Sequence, residues 1–178
     1  MPRVAGLNIV AVLVAAVAFY AVGMVVYGFT LSQLWGEEML KNHGLLAPGQ
    51  AAPQGEALMA ELMKIPGAMD AGLAYSLGFL LSLGTTIGIA AALMWRKPAG
   101  LGGALGTSFV LWIFFGVTGL GYNVIYGSES QVIFGIDLLH SFIAYHLATT
   151  VLFFMEQEGD QRRCGNSGLG QVAIDLDR

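Results

Sequence analysis

Four long apolar runs, separated by polar interruptions, set the pattern of this chain. They extend over about residues 7–29, 71–95, 101–126 and 130–155. At 1.5 Å of rise per residue, each can cross the roughly 30 Å hydrocarbon layer of a bilayer. A backbone in lipid must satisfy its own hydrogen bonds, so each run predicts a membrane helix. The first run continues through Ala16-Val17-Ala18, a small-x-small sequence, as far as Phe29. That is longer than the about 7–15 apolar residues of a signal peptide, so it reads as an uncleaved first span. Residues 37–70 form the only long polar connection. Within it Leu58, Met59, Leu62, Met63 and Ile65 recur at helical spacing until Pro66-Gly67 stops them. The pattern predicts an all-α fold: a four-helix transmembrane bundle over residues 1–158, with a short amphipathic helix in the first extracytoplasmic loop. A polar, glycine-rich tail over 159–178 reads as flexible.

Composition supports lipid as the solvent. Hydrophobic residues make up 56% of the 178 and charged residues 11%, with a mean hydropathy of +0.67. A soluble domain carries about 25% charged residues. The few, scattered lysines and arginines argue against nucleic-acid binding. A lone cysteine, Cys164, allows no intramolecular disulfide and no zinc site built from cysteine pairs.

Charge also orients the chain. With four spans, Arg3, Arg96, Lys97, Arg162, Arg163 and Arg178 collect on one side, against Lys41 and Lys64 on the other. The positive-inside rule then puts both termini in the cytoplasm and the 37–70 loop outside. Tyr27 and Trp35 fall where an interfacial aromatic belt is expected.

Small residues mark candidate packing faces. Gly84 and Gly88 form Gly-x-x-x-Gly, extended by Ala92, and Gly102 and Gly106 repeat the spacing in the third run. Such stripes let helix backbones approach closely. Ser128, with Gln131 three residues later, resembles a capping box opening the fourth helix.

Only the fourth run carries a charged residue or a histidine: Asp137, His140 and His146. An aspartate at mid-depth costs roughly 2.5–3.5 kcal/mol on insertion scales, so it needs a partner or a purpose. At 100° per residue, Asp137, His140, Ser141, Ala144 and Ala148 share an arc of about 100°, while His146 lies opposite. Asp137 and His140 can meet, and His146 cannot join them. The four-span topology brings Asn123, Tyr122, Tyr75, Ser76 and Tyr27 to a similar depth. Two readings stand. Asp137, with His140, Asn123, Ser141 and Tyr122, forms a proton- or cation-responsive site, or Asp137 merely bonds neighbouring spans near a favourable helix N-terminus. His146 reads as an interhelix hydrogen-bond donor. No ligand cluster for a metal, no haem pair, no Gly-x-Ser-x-Gly and no phosphate loop is present, so no cofactor is expected.

Residues 8–15 (Asn-Ile-Val-Ala-Val-Leu-Val-Ala), Tyr27 with Trp35, Gly102 and Gly106 with Thr107-Ser108, and Asp137 early in the last span carry a resemblance over about residues 7–155. The chain resembles a bacterial family of small four-span membrane proteins classed only as a domain of unknown function. Family members often have a Trp-Tyr pair and a nearby proline after the first span. Here Val26-Tyr27 stands in that place with no proline. The resemblance implies an inner-membrane protein and supplies no catalytic activity. The expected role is a non-enzymatic accessory or packing subunit, self-associating through its glycine faces or joining a larger membrane complex. The rival is a small transporter or channel using Asp137 and His140.

Overall fold

A computed structural model describes the backbone of residues 2–127 and 129–172 and, Ala71 apart, side chains as far as Glu156. It opens with a small hairpin, β1 (Arg3–Val4) against β2 (Leu7–Asn8). The two turn residues, Ala5 and Gly6, both have positive φ (50° and 85°), the geometry that suits a two-residue hairpin. Asn8 then starts α1 (Ile9–Val25): its side-chain oxygen accepts from the Ala11 amide at 3.3 Å. At its end α1 widens into a π turn over Val26–Thr30, closed by the Leu31 amide donating to the Val26 carbonyl at 2.8 Å.

The remaining helices are α2 (Ser32–Asn42), α3 (Glu56–Leu62), α4 (Ala71–Arg96), α5 (Leu101–Leu111), α6 (Thr118–Gly127) and α7 (Gln131–Val172). A second π turn, Trp112–Val117, joins α5 to α6. Four helical stretches are long and apolar enough to cross a membrane: Ile9–Thr30, Gly72–Arg96, Leu101–Tyr126 and Gln131–Glu156. They match the four runs read from the sequence, with end differences of the size helix fraying produces. The backbone of α7 continues as helix through Val172, where the sequence predicts a flexible tail from 159; residues 173–178 lie outside the described residues.

The central seam is the contact of α1 with α7. The two run antiparallel, pairing Tyr27 with Asp137, Phe19 with Tyr145, and the Asn8 amide with the Glu156 carboxylate. Alanines make this approach possible: Ala11, Ala15, Ala144 and Ala148 have no exposed surface at all. Phe19, Val22, Ile136 and Leu152 fill the spaces between them. α4 packs on the other flank of α1, and α5 on the other flank of α7, where Ala104 and Ser108 are fully buried. At the N-terminal end, Arg3 ties the hairpin to α7 through Glu156 at 2.7 Å. The outward faces are apolar, with Leu81, Phe114, Phe115 and Ile125 largely exposed. Continuous apolar surface of this kind belongs in lipid.

The 37–70 connection has more structure than its polarity predicts. α2 is an addition to the expected single amphipathic helix, and α3 is the expected one. Leu40, Leu46 and Leu58 form a small separate core beneath the charges. Gly36 leaves room for Leu58, since a Cβ would stand 2.7 Å from its Cδ2 and the leucine would have to shift. Lys41 bonds Glu37 and Glu38 one turn back at 2.7 and 2.9 Å, so this charge run sits on a helix face.

The alanine seam makes a direct prediction. Ala148→Leu is expected to destabilise the detergent-purified protein by about 1–3 kcal/mol through overpacking. Gly88→Ala, on an open face, is expected to lose nothing in the same denaturation series.

Candidate functional site

Three side chains meet at the loop end of the α1–α7 seam. Tyr27 enters from the π turn of α1, and Asp137 and His140 from the first turns of α7. The Tyr27 hydroxyl donates to Asp137 Oδ1 at 2.5 Å and lies 3.3 Å from His140 Nδ1. All three are half-buried. The His140 ring is held edge-on to Tyr27 and to Phe19, at centroid distances of 5.0 and 6.1 Å. Gly23 leaves room for the far side of that ring, since a Cβ there would lie 3.2 Å from Nε2. Trp35 of α2 closes the Tyr27 side at 5.8 Å.

The hydrogen-bond inventory constrains this chain. Tyr27 owns one proton and has lone pairs to accept another. When it donates to an ionised Asp137, His140 Nδ1 completes the chain only as an N–H donor to the tyrosyl oxygen. When Asp137 carries a proton and donates it to Tyr27, the hydroxyl is free to donate to a bare Nδ1. Both arrangements fit the same heavy-atom positions.

A second α7 contact lies beside the first. Trp112, in the other π turn, donates its indole N–H to Ser141 Oγ at 3.0 Å, and Ser141 donates to the Leu138 carbonyl at 3.1 Å. Gly116 accommodates the indole, with a would-be Cβ 3.0 Å from Trp112 Cδ1. The stripe predicted on α7 is therefore shared: Asp137 and His140 face α1, and Ser141 faces α5. Both helices hold it from a π turn, a feature often found at functional sites.

Several predicted members lie elsewhere. Tyr122 and Asn123 on α6 are exposed, and Tyr122 stacks on Tyr126 at 4.4 Å. Sequence fixes their depth, but the extra residue of the π turn rotates everything after it by about 100°. Gly84, Gly88, Gly102 and Gly106 are exposed, with nothing within 4 Å of a would-be Cβ, and Ala92 is half-buried. The close approach of α1 to α7 uses alanines instead. His146 bonds within its own helix, Nδ1 to the Phe142 carbonyl at 2.8 Å, and stacks on Phe142; its contact with another span is the edge-on ring of Phe109 in α5, at a centroid distance of 6.3 Å. The proposed capping residue Ser128 lies outside the described residues, and Ser130 does that work, accepting from the Val132 amide at 3.2 Å. Asp137 is thus six residues into α7, about 9 Å from its start.

Two further carboxylates, Glu129 and Glu38, lie at the loop end of the bundle. Burial, and then the nearby Asp137, push the Glu129 carboxyl above the ordinary carboxylate range, and its Oε2 has no hydrogen-bond partner among the described residues. Glu38 is held below that range, first by its bond to Lys41 and then, against the opposing effect of burial, by Ser130, whose hydroxyl it accepts at 3.0 Å. The bonds to Glu37 and Glu38 raise Lys41. Among the described residues no group of three His, Cys, Asp or Glu side chains is placed to hold a metal ion.

Two outcomes follow from this geometry. Tyr27→Phe leaves Asp137 and His140 without their shared partner and is expected to cost about 1–3 kcal/mol in thermal unfolding. For Glu129, a folded-state value above the unfolded one gives stability that is complete below the unfolded value and is lost as pH rises through the folded one. Glu129→Gln is therefore expected to stabilise the protein at pH 7, with the gain fading on acidification.

No curated protein matches the chain, and no solved structure matches it. A family model does, over residues 10–153, which takes in nearly all of the four membrane helices and the Tyr27–Asp137–His140 chain. The chain belongs to that family, described as protein of unknown function DUF1761.

Proposed function

We propose that this is a non-enzymatic, proton-responsive accessory protein of the bacterial inner membrane, with the Asp137–Tyr27–His140 chain as its titrating element. The observation that carries this reading is the Tyr27 hydroxyl standing within bonding range of both a carboxylate and an imidazole. Proton transfer along the chain converts an ionised Asp137 and a doubly protonated His140 into a neutral pair. The Tyr27 proton passes to Asp137 as the Nδ1 proton passes to Tyr27. Because the partners come from different helices, their protonation bears directly on how α1 docks against α7.

Sensing fits the seam better than conduction. Immediately below His140 the α1–α7 contact is filled by Phe19, Val22, Ala144 and Ala15. The distribution of lysines and arginines supports an outward-facing site, with both termini cytoplasmic.

One observation favours a second component of the function, self-association. The glycines of both Gly-x-x-x-Gly pairs face outward, unused within the chain. A lipid-exposed stripe of that kind suits contact with another copy or another membrane protein.

In nanodiscs, the unfolding temperature of the wild type is expected to change with pH between 4 and 9, and Asp137→Asn or His140→Gln to flatten that profile. Profiles that stay parallel to wild type would remove the titrating role. Proteoliposomes provide the second arm: a pH-driven proton flux abolished by Asp137→Asn would turn the reading to transport. For self-association, Gly84→Leu with Gly88→Leu is expected to lower the oligomer mass seen in detergent.

A further inference from the structure

A cavity of about 430 Å³ lies at the opposite end of the bundle, between the N-terminal hairpin, the end of α4 and α7. Its wall is apolar, formed chiefly by Leu93, Met94, Leu152 and Phe153, and its polar members are Arg3, Lys97 and Glu156. The membrane-crossing parts of α4 and α7 end at Arg96 and Glu156, and Trp95 is 81% exposed at the same level. Aromatic side chains favour the level where hydrocarbon meets headgroups. The cavity therefore has its apolar wall on the hydrocarbon side and its charges on the headgroup side.

The charges do not cancel. Arg3 and Glu156 are paired at 2.7 Å, which leaves the cationic Lys97, for which no ion pair is present among the described residues. Lys97 also holds a left-handed backbone, φ 47° and ψ 61°, at the position where helices usually end in glycine. A glycine would make the same turn without steric strain, whereas the chain keeps a lysine there and points it into the cavity rim. Strained non-glycine residues tend to be retained where their side chain has a use.

We propose that this cavity binds one anionic phospholipid, with Lys97 as the ligand of the headgroup phosphate and the apolar wall receiving the start of an acyl chain. Arg3, held by Glu156, adds a second cationic side chain to the cavity lining. The site is separate from the Tyr27–Asp137–His140 chain and does not depend on the role proposed for it.

The test uses the full chain in detergent, with bound lipid read by native mass spectrometry. Dioleoyl phosphatidylglycerol is the probe, dioleoyl phosphatidylcholine the neutral comparison, and inorganic phosphate the soluble one. Phosphatidylglycerol is expected to be retained at one copy per chain and at lower concentration than phosphatidylcholine. Lys97→Gly relieves the backbone strain, so it is expected to fold at least as well, and to weaken phosphatidylglycerol binding by about tenfold, the loss of one charged hydrogen bond. Lys97→Arg is expected to keep the binding. Arg96→Gln, adjacent and exposed but outside the cavity lining, is expected to change it less than about twofold. Equal losses in Lys97→Gly and Arg96→Gln would reduce the effect to general interfacial charge and overturn the site. Retention of both lipids alike would overturn it too, as would inorganic phosphate displacing the lipid at equal concentration.

Discussion

The close approach of α1 to α7 is the constraint on which the rest of the structure depends. Four alanines without exposed surface line that seam, and a larger side chain there would have to displace its neighbours. Lipid provides no hydrophobic drive for two helices to associate, so contact has to come from packing and from hydrogen bonds. The seam uses both. Alanines and the side chains between them provide the packing along its length, and polar contacts fasten its two ends: Arg3 and the Asn8 amide to Glu156 at one, Tyr27 to Asp137 at the other.

That arrangement explains why an aspartate is tolerated in an apolar run. Asp137 lies six residues into α7, beyond the first turn where the helix dipole acts, and it is Tyr27 that satisfies it from the facing helix. A purely structural bond would be complete with those two groups. His140 is the addition that makes the arrangement more than a fastening, because it gives the hydroxyl proton a second acceptor one turn further along. Glu129, whose Oε2 is shielded and without a bonding partner among the described residues, adds negative charge beside it. The two π turns belong to the same account, since each delivers the aromatic donor that grips α7, Tyr27 on one side and Trp112 on the other.

Much of this was legible in the sequence, because hydrophobic length and helical period are properties of one segment at a time. The four spans, the amphipathic α3, the shared face of Asp137 and His140 and the opposed His146 all come from counting along the chain. What could not be counted was azimuth between helices. Tyr27 is one of several polar residues at its depth, and nothing in its own segment singles it out from Tyr122 or Asn123. The π turn over Trp112–Val117 has no sharp signature beyond aromatic and glycine content, yet it shifts the face of everything beyond it. The glycine pairs misled for a related reason. Their spacing marks a surface that can be approached closely, and it does not say from where. α2 was hidden by charge, with a small leucine core beneath its acidic face.

The bond between Tyr27 and Asp137 is tested most directly by a double-mutant cycle. The unfolding free energies of Tyr27→Phe, Asp137→Asn and the double variant would be compared with wild type in one detergent at neutral pH. A hydrogen bond between the two side chains predicts a coupling energy of about 0.5–3 kcal/mol, with the double variant costing less than the sum of the singles. Costs that add to within about 0.3 kcal/mol would contradict the bond, and with it the account of how α1 and α7 are joined at the loop end.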